Sequence, residues 1–250
     1  MTLSGWQKAF TKSPRATLVL LPGLDGTDVF FRPLIAQLPP WIRPLVICYP
    51  QGVSSSYAEL IELVRQATSG IPDMYILASS FAGPLAVMLA AAEPSRVRGV
   101  ILCASFLRSP KRRLKRLKFA AIGPVIWAVR ATRRIPVWTL RDRDDALRVA
   151  KAETWSRASA RGIAARVRAI VDIDAREALR RCTQPVLCVH FEDDRVVTWR
   201  SAEEIQRHGA AIKLVTLPGN HLGLFTEADA LAEEVVRFIE EPSTLADRRN

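Results

Sequence analysis

Met74-Tyr-Ile-Leu-Ala-Ser-Ser-Phe-Ala-Gly-Pro84 changes character halfway along. Met74 to Ala78 is a continuous apolar run, as expected of a short strand buried on both faces. Gly83 to Ala92 is small and apolar and reads as a helix, with Pro84 in a first turn where its missing N–H costs nothing. A strand and a helix this close leave room only for a sharp turn at the two serines. Bulk two residues before or after the apex would collide with neighbouring backbone. Ser80 has Ala78 and Ala82 at those offsets, whereas Ser79 has Leu77 and Phe81. The apex is therefore Ser80, its hydroxyl raised above the sheet and the next N–H and the helix N-terminus facing the same space. A serine that merely caps a helix is the competing reading, but a cap needs no small residue on both sides.

Working outward, the same strand-then-helix pattern recurs. Ala16 to Leu21, Pro44 to Tyr49 and Val97 to Ala104 read as strands, and Tyr57 to Ala67 as a helix. The pattern resumes late, with strands at Pro185 to His190 and Ile212 to Leu217, a short helix at Ala202 to His208 and a closing helix at Leu231 to Ile239. Such alternation predicts a mostly parallel sheet covered by helices on both faces, in the α/β class. From 107 to 170 the strand signal vanishes. Leu114, Leu117, Ile122, Ile126 and Val129 recur at helical spacing, as do Ala146, Val149, Ala150 and Trp155. The expected organisation is one core built from 1–106 and 171–250, with a basic helical insertion of two to four helices at 107–170. A chain of 250 residues suits one such domain.

Composition narrows the class. With 49% hydrophobic and 24% charged residues the chain is globular rather than disordered. Its longest apolar stretch, Phe119 to Val129, is interrupted by Gly123 and Pro124 and is too short to span a bilayer. The N-terminus has no signal-peptide pattern, so a cytoplasmic location is expected. Cys48, Cys103, Cys182 and Cys188 lie in or beside apolar runs without metal-type spacing and read as reduced core thiols. No metal and no cofactor is expected.

A serine hydroxyl is a poor nucleophile until a base takes its proton and a carboxylate orients that base. The chain has three histidines. His208 falls in a polar helix and His190 within a strand. His221, in Leu217-Pro-Gly-Asn-His-Leu-Gly223, follows a strand and precedes the last helix, where sheets of this kind assemble their sites. Glu192, Asp193 and Asp194 follow the preceding strand and compete for the carboxylate role; Asp194 gives the order serine, aspartate, histidine on three separate post-strand loops. Leu20-Leu-Pro-Gly-Leu-Asp-Gly-Thr27 closes the first strand in a Gly-rich turn. The amide of Leu24, together with that of Phe81, can supply two donors to an oxyanion.

On Leu21-Pro-Gly-Leu-Asp-Gly-Thr27, Ala78-Ser-Ser-Phe-Ala-Gly83, Asp194-Arg-Val-Val197 and Pro218-Gly-Asn-His221, the chain resembles the α/β-hydrolase family along nearly its full length. It is most similar to small bacterial esterases and thioesterases. The resemblance implies an eight-stranded central sheet with a helical cap inserted after the sixth strand. It also implies a nucleophile at Ser80, an acid at Asp194, a base at His221 and oxyanion donors at Leu24 and Phe81. Pro22-Gly23 stands where many members have His-Gly, and Ala78 and Ala82 replace the usual glycines. Serine at the apex argues against relatives that open epoxides or remove halide, which need a carboxylate there. An acyl-serine ester or thioester hydrolase is the expected activity, with an acyltransferase or a non-catalytic binding protein on the same scaffold as alternatives.

Net charge is +11, and it is concentrated. Positions 108–168 hold 18 Lys and Arg against 4 acidic residues, leaving 18 basic and 21 acidic residues elsewhere. Arg108, Lys111, Arg112, Arg113 and Arg116 are the densest part. Solvated helix faces account for such a run in many proteins. Beyond that, arginine clusters suit carboxylate and phosphate partners, so an acidic acyl carrier protein or a coenzyme-A phosphate is the first expectation. Similarity in size and layout to pimeloyl-carrier-protein methyl ester esterases points the same way. Contact with an anionic membrane, through Phe119, Trp127 and Trp138, comes second. Nucleic acid comes last, because no motif for it is present.

Overall fold

The computed structural model describes residues 14–51, 56–109 and 145–241. Within them six strands form one sheet: β1 (Ala16–Leu21), β2 (Ile42–Val46), β3 (Met74–Ser79), β4 (Val97–Cys103), β5 (Val186–Phe191) and β6 (Ile212–Leu217). Their order is β2-β1-β3-β4-β5-β6 and every pairing is parallel. Six strands, not the eight implied by the family resemblance, are present among the described residues. The chain ahead of β1, at 1–13, lies outside them.

The helices are α1 (Arg32–Gln37), α2 (Tyr57–Ala67), α3 (Gly83–Ala92), α4 (Asp145–Arg157), α5 (Ala160–Asp172), α6 (Arg176–Arg181), α7 (Trp199–His208), α8 (Gly223–Thr226) and α9 (Ala228–Glu240). Alternate residues of a strand point to opposite faces, and the core divides accordingly. Val19, Leu21, Ile76 and Ala78 pack with Leu60, Val64, Leu85, Leu179 and Ile205 beneath α2, α3, α6 and α7. Leu18, Leu20 and Leu77 face Leu34 of α1, Leu38 just after it, and Leu231 and Val235 of α9. Helices therefore cover both faces.

Two elements differ from the sequence reading for visible reasons. β2 begins at Ile42 and stops at Val46, so Cys48 lies beyond the strand and is exposed rather than in the core; Cys103, Cys182 and Cys188 are buried. α7 starts at Trp199, with Thr198 in extended conformation just before it. Of the stretch 107–170 expected to be an insertion, positions 110–144, with Leu114 to Val129, lie outside the described residues, and α4 and most of α5 fall in the remainder. Val149 of α4 is exposed, so its place in the apolar spacing does not translate into burial.

The strand order fixes where a site can form. The chain leaves β1 for β2 on one side and returns to place β3 on the other. Loops leaving the carboxyl ends of β1 and β3 diverge there and open a crevice, the usual ligand position in open parallel sheets. Leu24 is on the first of these loops and Ser80 on the second.

Candidate active site

Ser80 has φ +48°, one of two non-glycine residues with positive φ among those described. A non-glycine residue with left-handed backbone is uncommon and marks a tight constraint. Ser79 is still extended, and 80–82 form one short 3-10 turn leading into α3. Gly83 makes this turn possible. A Cβ there would lie 1.8 Å from Ser105 Oγ and 2.9 Å from Ser105 Cβ.

The other two post-strand loops meet Ser80. Ser80 Oγ lies 3.0 Å from His221 Nε2, and His221 Nδ1 lies 2.7 Å from Asp194 Oδ2. Asp194 is held from behind, since its Oδ1 accepts the N–H groups of Val196 (2.8 Å) and Val197 (2.9 Å). Its side chain is fully enclosed, whereas Glu192 and Asp193 face solvent, which separates the three competing carboxylates. With Nδ1–H donated to Asp194, Nε2 is left to accept from the serine hydroxyl. The loops after β5 and β6 are also stitched together, Asp193 N–H donating to Gly219 O at 2.9 Å and Glu192 N–H to Leu217 O at 3.0 Å.

Sequence reading missed the residues that orient the amides around Ser80. Ser105, just after β4 and next to Ala104 (φ +47°), donates to Ser80 O at 2.6 Å. In a trans peptide C=O and N–H point opposite ways, so tying Ser80 O to Ser105 turns Phe81 N–H away from Ser105. Tyr57 OH donates to Phe81 O at 2.9 Å, and its ring stacks on Phe81 at 4.9 Å. On the β1 side, Gly23 sits close enough to Ser80 that a Cβ there would be 3.8 Å from Ser80 Cβ. Arg166 of α5 is fully buried against this loop and donates from Nε to Leu24 O at 2.7 Å. Polar residues just after strands offered a weak signal for Ser105. Arg166 offered none, being one arginine among many.

Of the residues expected to meet a partner, Arg108 pairs with Glu204 of α7, and its backbone bridges Asp174. Lys111, Arg112, Arg113 and Arg116 lie outside the described residues. His190 is buried against Trp199, ring centroids 5.4 Å apart, and His208 Nδ1 sits 2.8 Å from Glu204 O. Among the described residues no group of three or more His, Cys, Asp or Glu could hold a metal, and no helix is long and apolar enough to cross a membrane.

Residues 18–234 match the family model described as "Alpha/beta hydrolase family". The chain belongs to the α/β hydrolase family. Solved structures of similar shape agree on the fold. An enol-lactonase from Burkholderia xenovorans is 21% identical, with a TM-score of 0.75 and coverage of 92% of this chain and 93% of its own. An esterase from Exiguobacterium antarcticum is 17% identical (TM-score 0.79, coverage 92% and 93%). A bromoperoxidase from Bacillus anthracis is 16% identical (TM-score 0.78, coverage 92% and 93%). No curated protein matches the chain by sequence. Among α/β hydrolases at this distance fold is shared and chemistry diverges, so the reaction has to be argued from the site itself.

Proposed function

We propose that this α/β hydrolase cleaves carboxylic esters or thioesters through an acyl-serine intermediate. The observation that carries the reading is the continuous hydrogen-bonded chain from Ser80 through His221 to buried Asp194, with Ser80 on a strained turn. His221 Nε2 takes the Ser80 proton as Oγ bonds to the substrate carbonyl carbon. The resulting tetrahedral oxyanion is received by the Leu24 and Phe81 amides. Collapse breaks the bond to the alkoxide or thiolate, which leaves with the proton from His221. Water, deprotonated by His221, then attacks the acyl carbonyl, and the acid is released with Ser80 reprotonated. Asp194 stays ionised throughout, holding the ring and stabilising the imidazolium.

The same chemistry would open a lactone, since a lactone is an internal ester. The basic segment suits an acyl group carried on an acidic protein, and Arg108 to Lys118 would form its docking surface, with 107–170 acting as cap. An acyltransferase differs only in the second acceptor, an alcohol in place of water.

Fluorophosphonate labelling of Ser80 and turnover of p-nitrophenyl esters by wild type and Ser80→Ala test the reading together. Labelling and a fall in kcat of about 10⁴-fold or more are expected. Equal turnover by the two proteins removes the enzyme. A chain-length series of esters and acyl thioesters, with and without acyl carrier protein and with competing alcohols, then separates the substrate classes and acceptors.

A further inference from the structure

A buried arginine requires a reason, because desolvating a charge is expensive unless every donor is used. Arg166 is the largest side chain with no exposure among the described residues, and it comes from α5, which the proposed chemistry does not involve. Its Nε donates to Leu24 O at 2.7 Å and its Nη2 to Asp25 O at 3.2 Å. Its guanidinium lies 5.7 Å from the Tyr49 ring centroid.

The slot around it is built from glycines. A Cβ on Gly162, one turn earlier in α5, would lie 3.1 Å from Arg166 Nη2. A Cβ on Gly26, whose φ is +70°, would lie 3.3 Å from Arg166 Cζ and 2.9 Å from Tyr49 Cβ. Gly26 N–H in turn donates to Gly23 O at 3.2 Å, closing the loop on itself. A second tie runs alongside. Gln51 Nε2 donates to Asp25 O at 3.1 Å, and Gln51 Oε1 accepts from Ser159 N–H at 2.8 Å, at the start of α5. Ser159 Oγ also donates to Gln51 O. The β1 loop is thus gripped at two consecutive carbonyls from the inserted helix.

We infer that Arg166 is a positioning residue: by fixing the carbonyls of Leu24 and Asp25 it sets the loop whose Leu24 amide meets the oxyanion, so that seating of α5 and acyl transfer at Ser80 are coupled. The inference rests on the reading of Ser80 as an acylated nucleophile. A carbonyl held on one side of Leu24 restricts the rotation that would swing its N–H on the other. A methionine of similar volume would fill the slot and leave that rotation free.

The full-length chain carrying Arg166→Met or Arg166→Lys is compared with wild type on a p-nitrophenyl ester and against a trifluoromethyl ketone, which forms a tetrahedral adduct with an active serine. Because loss of a whole oxyanion donor lowers kcat by about 10²–10³-fold, a misplaced one is expected to lower it by about 10- to 100-fold. KM should stay within about threefold, ketone affinity should fall in parallel with kcat/KM, and Arg166→Lys should be intermediate, since a point charge reaches one carbonyl at a time. A folded Arg166→Met protein with wild-type kcat, or one whose kcat falls without loss of ketone affinity, overturns the inference. Should Arg166→Met not fold, Gln51→Leu is read in the same way, with a smaller parallel loss expected and none overturning it. A wild type that neither labels at Ser80 nor hydrolyses any ester overturns the parent reading instead.

Discussion

Single atoms decide this site. Asp194 divides its two oxygens between His221 and two backbone amides, so an amide side chain there could satisfy only part of the set. Asp194→Asn keeps the volume but presents an NH₂ either to Nδ1–H or to the Val196 and Val197 amides. The ring then flips tautomer or tilts, and Nε2 no longer accepts from Ser80. A fall in kcat of about 10⁴-fold with little change in KM is expected, by analogy with the same change in other serine triads; steady-state kinetics that retain a tenth of wild-type kcat would show that Asp194 does not set the tautomer. Gly83 is as constrained by space as Asp194 is by hydrogen bonds. The Ser105 hydroxyl can rotate away from a new Cβ, but the Ser105 Cβ at 2.9 Å cannot. Gly83→Ala should therefore cost about 1–3 kcal/mol of stability as overpacking, and adding Ser105→Gly should recover part of it. Urea denaturation of the two single variants and the double variant measures that coupling; strict additivity would mean the strain lies elsewhere.

Elements reach the site through a second, electrostatic tie. Arg32 of α1 makes a two-pronged contact with Glu153 of α4 at 2.7 and 2.6 Å, and Arg157 contacts Glu153 at 3.1 Å and buried Asp28 at 2.7 Å. This four-charge cluster joins the segment after β1 to α4. The Arg32 and Glu153 side chains are about one-third exposed, so the contribution is that of a half-solvated network. Glu153→Gln is expected to cost about 1 kcal/mol at low salt and less in 1 M NaCl. Unfolding curves at two ionic strengths check this, and a loss that ignores salt would point to packing instead. The same contrast explains what the sequence could reveal. Ser80, His221 and Asp194 were legible because each carries a local signature: a turn with small neighbours, a loop after a strand, an acidic turn. The four inner strands were legible because burial on both faces leaves continuous apolar runs, whereas the edge strand β2, half-buried and interrupted by Arg43 and Pro44, was placed two residues late. Arg166 and Glu153 were not, because one arginine on a basic helix looks like another until the fold selects which one it encloses. Of the eight strands implied by family resemblance, the described residues hold the six that carry an apolar run of their own.

At the scale of the whole molecule, the titrating groups predict a two-stage response to acid. Burial pulls His190 below its ordinary value near 6.5, opposed by the nearby charge of Asp194. The folded protein thus resists a proton that the unfolded chain accepts, so this contribution is fully present above about pH 6.5 and is lost as pH falls from there through the lowered folded-state value. Glu153 is lowered chiefly by its hydrogen bond to Arg32, and Asp174 is lowered to about 2 chiefly by its hydrogen bond to Arg176. Their contributions are present above the ordinary carboxylate range and disappear between about pH 4.5 and 2. Asp25 runs the other way: burial raises it, outweighing the hydrogen bonds from Thr27, so acid relieves a cost there and softens the second stage. Protonating carboxylates on a chain already at +11 adds self-repulsion throughout. The urea midpoint should therefore hold between pH 8 and 7, begin to drop below about 6.5, and drop again below about 4.5. His190→Leu removes the only buried histidine among the described residues and should abolish the first step while leaving the second. A first step that survives in His190→Leu would assign it to another group, and a wild-type curve flat from pH 8 down to the carboxylate range would mean that burying His190 neutral carries no cost the fold can feel.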